Sequence, residues 1–180
     1  FPFDTFAPRH PVDEADYVLD KIINMYKKVW AVVEENKPVV NIKEDRASAL
    51  PEGAYNWRNL EGWATPKSRT YRVRYRNLYG WDVVNFAFRV IYTYGGSVNG
   101  VGRYLTNVTV IPAHLDVSWG YTFNAGVEVP YVTNAGTKTN PLAGMEVHLK
   151  WSVDTILKHN RMASSYYLRG DGLFKSLGAL

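Results

Sequence analysis

Apolar and polar positions alternate with period two through most of this chain from residue 69 onward. The segment Tyr71-Arg72-Val73-Arg74-Tyr75-Arg76 shows the pattern most plainly. Alternate side chains of an extended strand point to opposite faces, so Tyr71, Val73 and Tyr75 form a core-facing row and Arg72, Arg74 and Arg76 a cationic one. Residues 69–78 and 81–94 predict two strands joined at Tyr79-Gly80, the second setting Val84, Phe86, Phe88, Val90 and Tyr92 opposite Asn85, Arg89 and Thr93. Residues 95–100 predict a turn, and residues 103–111 a strand closed by Pro112. Leu115, Val117, Trp119, Tyr121 and Phe123 then alternate with His114, Asp116, Ser118, Gly120 and Thr122, and Val127, Val129 and Tyr131 extend the pattern to a loop at 133–141. Met145 to Val153 repeat it, and a last strand is expected at 165–169 before Gly170-Asp171-Gly172. Strict alternation means one buried and one solvated face, as in antiparallel sheets.

The amino-terminal part reads differently. Residues 1–12, with three Pro and three Phe, predict an extended arm. Ala15, Val18, Leu19, Ile22, Tyr26, Val29, Trp30 and Val33 follow the i, i+3, i+4 rule, predicting a helix over 13–36 that Asp13 caps and Pro38 ends. At about 1.5 Å per residue it would be roughly 36 Å long. Ile23, Met25 and Val32 lie outside the stripe, which fits a helix wrapped by a curved sheet; the polar face, mixed in sign, does not fit a membrane-surface helix. Residues 37–68 are irregular and carry Tyr55, Trp57 and Trp63, which serve either as a binding lip or as pegs holding the loop to the core. The expected fold is therefore a single α+β domain: a long N-terminal helix packed on a curved, mostly antiparallel sheet of six or seven strands.

Composition narrows the function. A chain of 180 residues can bury a core without staples, and it contains no cysteine, which removes disulfides, thiolate catalysis and cysteine-based zinc sites. Six Trp, thirteen Tyr and seven Phe supply rigid contact area, and a net charge of +4 favours anionic surfaces without a nucleic-acid signature. Nothing approaches the roughly 18 consecutive apolar residues of a membrane span. The chain opens Phe1-Pro2-Phe3-Asp4, read as the start of a processed, exported protein, although a trimmed boundary would look the same.

Catalytic motifs are sparse. No Gly-x-Ser-x-Gly elbow occurs, the Gly-rich run at 95–102 lacks a phosphate-loop Lys, and Gly170-Asp171-Gly172 lacks the oxygen ligands of a calcium loop. His10, His114, His148 and His159 are scattered. His114 with Asp116, and His148 with Glu146 and Lys150, share strand faces, an arrangement that arises easily on any polar face. No cofactor or metal is expected. What remains is the row Arg72, Arg74 and Arg76, which either pairs with Asp82 or Glu128 on a neighbouring strand or faces a phosphate, carboxylate or acidic protein patch with Trp57 or Trp63 stacking beside it. The expected function is a non-enzymatic, exported binding domain, a component of a bacterial envelope-associated or secreted assembly with a protein or anionic partner. One alternative is a carrier of a lipid or other amphiphile held between helix and sheet; another is a small hydrolase or isomerase using His114 and Asp116.

Overall fold

Valine and aromatic residues dominate the apolar rows of the alternating segments, and such stiff or planar side chains pack well on a pleated surface. In the computed structural model, which describes residues 18–25, 29–33, 46–54 and 56–180, they form part of a set of ten strands. These are β1 (Val18–Met25), β2 (Val29–Val33), β3 (Ala47–Glu52), β4 (Lys67–Arg76), β5 (Asp82–Val98), β6 (Val101–Val117), β7 (Thr122–Asn134), β8 (Ala143–Asp154), β9 (His159–Arg169) and β10 (Phe174–Ala179). They make two five-stranded sheets, ordered β1-β3-β6-β5-β4 and β10-β9-β8-β7-β2, with every neighbouring pair antiparallel.

The α+β expectation is thereby overturned: every long element among the described residues is a strand. The part of the expected 13–36 helix that is described is β1 and β2. β1 pairs with β3 in the first sheet and β2 with β7 in the second, so the chain passes between sheets from Met25 to Val29. The periodicity misled because helical spacing in β1 is followed by a short apolar run, Val29-Trp30-Ala31-Val32-Val33, that suits a buried strand as well as a buried helix turn. The arm at 1–12 and residues 34–45 lie outside the described residues.

Other boundaries also move. The stretch expected to be irregular contains β3, whose Ala47, Ala49 and Leu50 are buried, and a 3₁₀ turn at Trp57–Asn59. Pro112 does not end its strand: β6 runs on to Val117, and Pro112 sits opposite Phe88 where the register with β5 shifts, a place that tolerates its missing N–H. β5 likewise continues to Val98, leaving a two-residue hairpin turn, Asn99-Gly100, with φ of 50° and 75°. Positive φ at both positions is the demand of a type I′ turn, which Asn-Gly meets at least cost. β9 starts at His159 rather than 165, and β10 adds an edge strand.

Between the sheets, the inward rows interlock. Phe86 packs on Phe123 with ring centroids 5.0 Å apart, Phe88 meets Tyr166 at 6.1 Å, and Tyr71 meets Tyr166 at 4.9 Å. Leu50, Leu105, Met145, Leu149 and Leu168 fill the remainder, all essentially inaccessible. Tyr92 is also buried and donates from Oη to the Gly172 carbonyl at 2.8 Å, tying β5 to the β9–β10 turn. Its hydroxyl is pushed up to about 12, mainly by burial, with Tyr94 and Asp171 adding to the shift and Arg69 opposing it.

Two outcomes follow for stability. Phe88→Ala should cost about 3–5 kcal/mol through lost burial and a cavity, and Tyr92→Phe about 0.5–1.5 kcal/mol by removing one of the two donors to the Gly172 carbonyl, the other being Lys67 Nζ at 3.0 Å, both read by urea denaturation. Folding raises the Tyr92 pKa, so its stabilisation is complete below the ordinary value of 10.0 and is lost as pH rises through about 12. Tyr92→Phe should therefore flatten the alkaline limb of the melting temperature. An unchanged limb would show that this hydroxyl does not drive the loss.

Candidate functional site

Along β4 the exposed residues Arg72, Arg74 and Arg76 alternate with half-buried Tyr71, Val73 and Tyr75, so the cationic row faces outward. Arg76 Nε donates to Asp82 Oδ1 at 2.8 Å across the β4–β5 turn. Glu128, the other expected partner, belongs to the second sheet, where it pairs with Lys150 and lies 3.7 Å from His148 Nδ1. No ion pair engages Arg72 or Arg74 among the described residues.

The strand register brings a second candidate onto the same face. Arg72, Ala87 and His114 form one rung across β4, β5 and β6, and Arg74, Asn85 and Asp116 form another. His114 Nε2 and Asp116 Oδ2 lie 2.6 Å apart, both exposed on an open sheet face. Between Arg74 and Asp116, Asn85 Oδ1 is buried without a hydrogen-bond partner.

Trp57 and Trp63 are not brought to this row. Ala64 N donates to the Tyr94 carbonyl at 2.9 Å, and the Trp63 ring lies where a Cβ on Gly96 would collide with it, so only glycine admits the ring there. From Gly96 back to Ala87, beside Arg72, is on the order of 30 Å of extended strand. Trp63 Nε1 donates to the Trp57 carbonyl at 2.9 Å, and the Arg58 guanidinium lies 5.5 Å over the exposed Trp57 ring. Trp63 is a peg.

The outward face of the second sheet carries a polar network. His148 Nε2 lies 2.7 Å from Glu146 Oε1, which also accepts from the buried Ser165 hydroxyl at 2.9 Å. These bonds, His148 first, hold the Glu146 carboxyl below its usual range although burial opposes them. The serine bonds to the carboxylate rather than to the imidazole, so this is not a nucleophile–base relay.

A different feature dominates the surface. Three turns, at residues 77–81, 118–121 and 155–158, lie at one end of the sandwich. Ser118 N donates to the Val83 carbonyl at 2.8 Å, joining the second turn to the foot of the first, and Thr122 pairs with Asp154 beside the third. Asn160 Nδ2 donates to Tyr75 Oη at 2.6 Å, joining the first and third across the two sheets. On these turns stand Leu78, Tyr79, Trp81, Trp119, Ile156 and Leu157. They are the most exposed large apolar side chains among the described residues, from 69% at Trp81 to full exposure at Leu78. A groove of about 680 Å³ opens behind the third turn, lined in part by Asn124, Ser152, Asp154, Arg161, Met162 and Leu180. No cluster of His, Asp and Glu suited to a metal occurs among the described residues.

Sequence reading missed this end because alternation carried it straight through residues 118–121 as though they continued a strand. The available signal was apolar residues inside turn chemistry: Leu78 and Tyr79 between Asn77 and Gly80, and Trp119 between Ser118 and Gly120. Comparison with protein-family models, with curated proteins and with solved structures finds no match to this chain.

Two predictions arise. Replacing Arg72 and Arg74 together by Gln should leave stability within about 0.5 kcal/mol, because neither pairs internally; a large loss on urea denaturation would expose a structural role. Folding lowers the Glu146 pKa, so its stabilisation is complete above the ordinary value of 4.5 and is lost as pH falls through the folded-state value. Glu146→Gln should therefore lower the melting temperature at neutral pH and weaken its fall toward about pH 3, with Asp171, also held low by Arg169, supplying the residual acid sensitivity.

Proposed function

We propose that this protein is a non-enzymatic binding module that engages its partner through the three-turn end, as an exported component of an envelope-associated or secreted assembly. The single observation that carries the reading is the gathering of Leu78, Tyr79, Trp81, Trp119, Ile156 and Leu157 at one end. Exposed apolar side chains scattered singly are normal, whereas their concentration marks an interaction surface. Aromatic residues are also enriched at binding hot spots, where a rigid ring buries much area at little entropic cost. The open His114–Asp116 pair offers no enclosed, water-poor site for acid–base chemistry, which favours binding over catalysis.

The groove behind the third turn supports a second reading, a small amphiphile held on the second sheet. Met162 and Leu180 offer apolar contact and Arg161 a charge for an acidic head. The space between the sheets is filled by Phe86, Phe88, Phe123 and Tyr166, so an amphiphile would lie on the surface rather than within.

A photo-activatable residue placed at Tyr79 or Trp119 should form adducts in material from the source cell, and the same residue at Trp57 or Leu173, exposed elsewhere, should form few. Equal labelling at all four positions, or none at any, would refute the assignment of the binding end. Native mass spectrometry of the purified chain checks the second reading, which expects a bound amphiphile that Arg161→Gln loses.

A further inference from the structure

Residues 77–81, 118–121 and 155–158 contain no Asp or Glu, and their one charge is Lys158. Their apolar side chains stand on three separate loops rather than on one flat face. That shape suits a soft, deformable phase better than the close-packed surface of a folded partner.

The backbone of the turns is prepared for such a phase. A polar backbone group that enters an apolar medium unpaired is costly. Here Tyr79 N and Trp81 N both donate to Asn77 Oδ1 at 3.0 Å, and Gly80 N donates to the Asn77 carbonyl at 3.0 Å. In the third turn, Lys158 N donates to Thr155 Oγ1 at 3.0 Å and Thr155 N to the Lys158 carbonyl at 2.8 Å. In the first and third turns these donors are satisfied within the turn, while Leu78, Tyr79, Trp81, Ile156 and Leu157 are exposed.

The charged groups behind the turns differ in their partners. Asp82, Asp116 and Asp154 are each engaged, by Arg76, His114 and His159 respectively. Arg74, Lys158 and Arg161 enter no ion pair among the described residues. Trp and Tyr favour the headgroup level of a bilayer, where a ring can be apolar on one side and wet on the other, and free cations just behind them meet lipid phosphates.

The geometry points to the surface of an anionic lipid bilayer as the partner of the three-turn end. Leu78, Tyr79, Trp81, Trp119, Ile156 and Leu157 enter the interfacial region, and Arg74, Lys158 and Arg161 contact the phosphates. This names the partner of the end already assigned to binding and rests on that reading.

Sedimentation with vesicles of phosphatidylcholine, with and without phosphatidylglycerol, tests the inference on the full chain. Binding is expected to the mixed vesicles, with a blue shift of tryptophan emission that Trp81→Phe and Trp119→Phe together abolish. Each of Leu78→Ser and Leu157→Ser should weaken partition by about tenfold, the loss of one buried apolar side chain. Arg74→Gln with Lys158→Gln should remove most of the preference for phosphatidylglycerol, and added salt should do the same to the unaltered chain. Unchanged far-ultraviolet circular dichroism and melting temperature separate these losses from misfolding. Absence of binding to either vesicle, or binding that all of these substitutions leave intact, overturns the inference. If light scattering instead shows a dimer that Leu78→Ser and Leu157→Ser dissociate, the partner is a second copy: the bilayer is excluded and the assignment of the end stands. Photo-adducts from Tyr79 or Trp119 that contain only protein have the same meaning.

Discussion

Phe86 and Phe88 on one sheet meet Phe123 and Tyr166 on the other, and the rest of the molecule is arranged around that contact. Because side chains alternate strictly along a strand, fixing these rings inward fixes every neighbour outward: Arg72 and Arg74 beside Tyr71 and Val73, and Lys150 and Ser152 beside Leu149 and Trp151. A slip of one residue in β5 would send Phe86 and Phe88 into water and draw Asn85 and Arg89 into the core. The register therefore has little freedom, and so do the turns that join the strands. The hairpins of β4–β5 and β8–β9 and the crossing from β6 to β7 emerge at one end as a consequence of packing in the middle.

Polar chemistry is distributed accordingly. The Glu146–His148 pair lies across the outer face of the second sheet, with Ser165 beneath it fully buried and bonded to the carboxylate. A hydroxyl in that position would be destabilising without a partner, and the carboxylate supplies one. The network thus covers part of the outer face of the second sheet, while the most exposed large apolar side chains among the described residues gather where the strands end.

Much of this was legible in the sequence, and the failures share one physical origin. Tyr71 to Arg76 and Met145 to Val153 alternate across one buried and one solvated face, and both emerge as read. β1 carries its apolar residues at helical spacing, and β2 and β3 offer no such contrast: Val29 to Val33 are apolar throughout, and Ala47, Ala49 and Leu50 are small or apolar on both faces. Period cannot be read from a uniform string, so helical spacing prevails over 13–36 and the β3 stretch reads as irregular. Pro112 was read as a stop because its local effect is unfavourable, yet a register shift between neighbouring strands absorbs it. The Arg76–Asp82 pair was foreseeable, six positions apart around a turn. That Arg74 and Asp116 share a rung was not, since it depends on two registers at once.

The position of β4 at the outer margin of its sheet gives the arginine row a meaning apart from recognition. A strand with one unpaired flank is a template onto which a second chain can add, and a long, flat, hydrophobic one invites fibrous stacking. Lys67, Arg69, Arg72, Arg74 and Arg76 all lie on this strand, so two copies approaching flank to flank would bring like charges into register along its length. Such repulsion opposes edge-to-edge pairing of two copies through the backbone of β4, a safeguard apart from anything the arginines recognise.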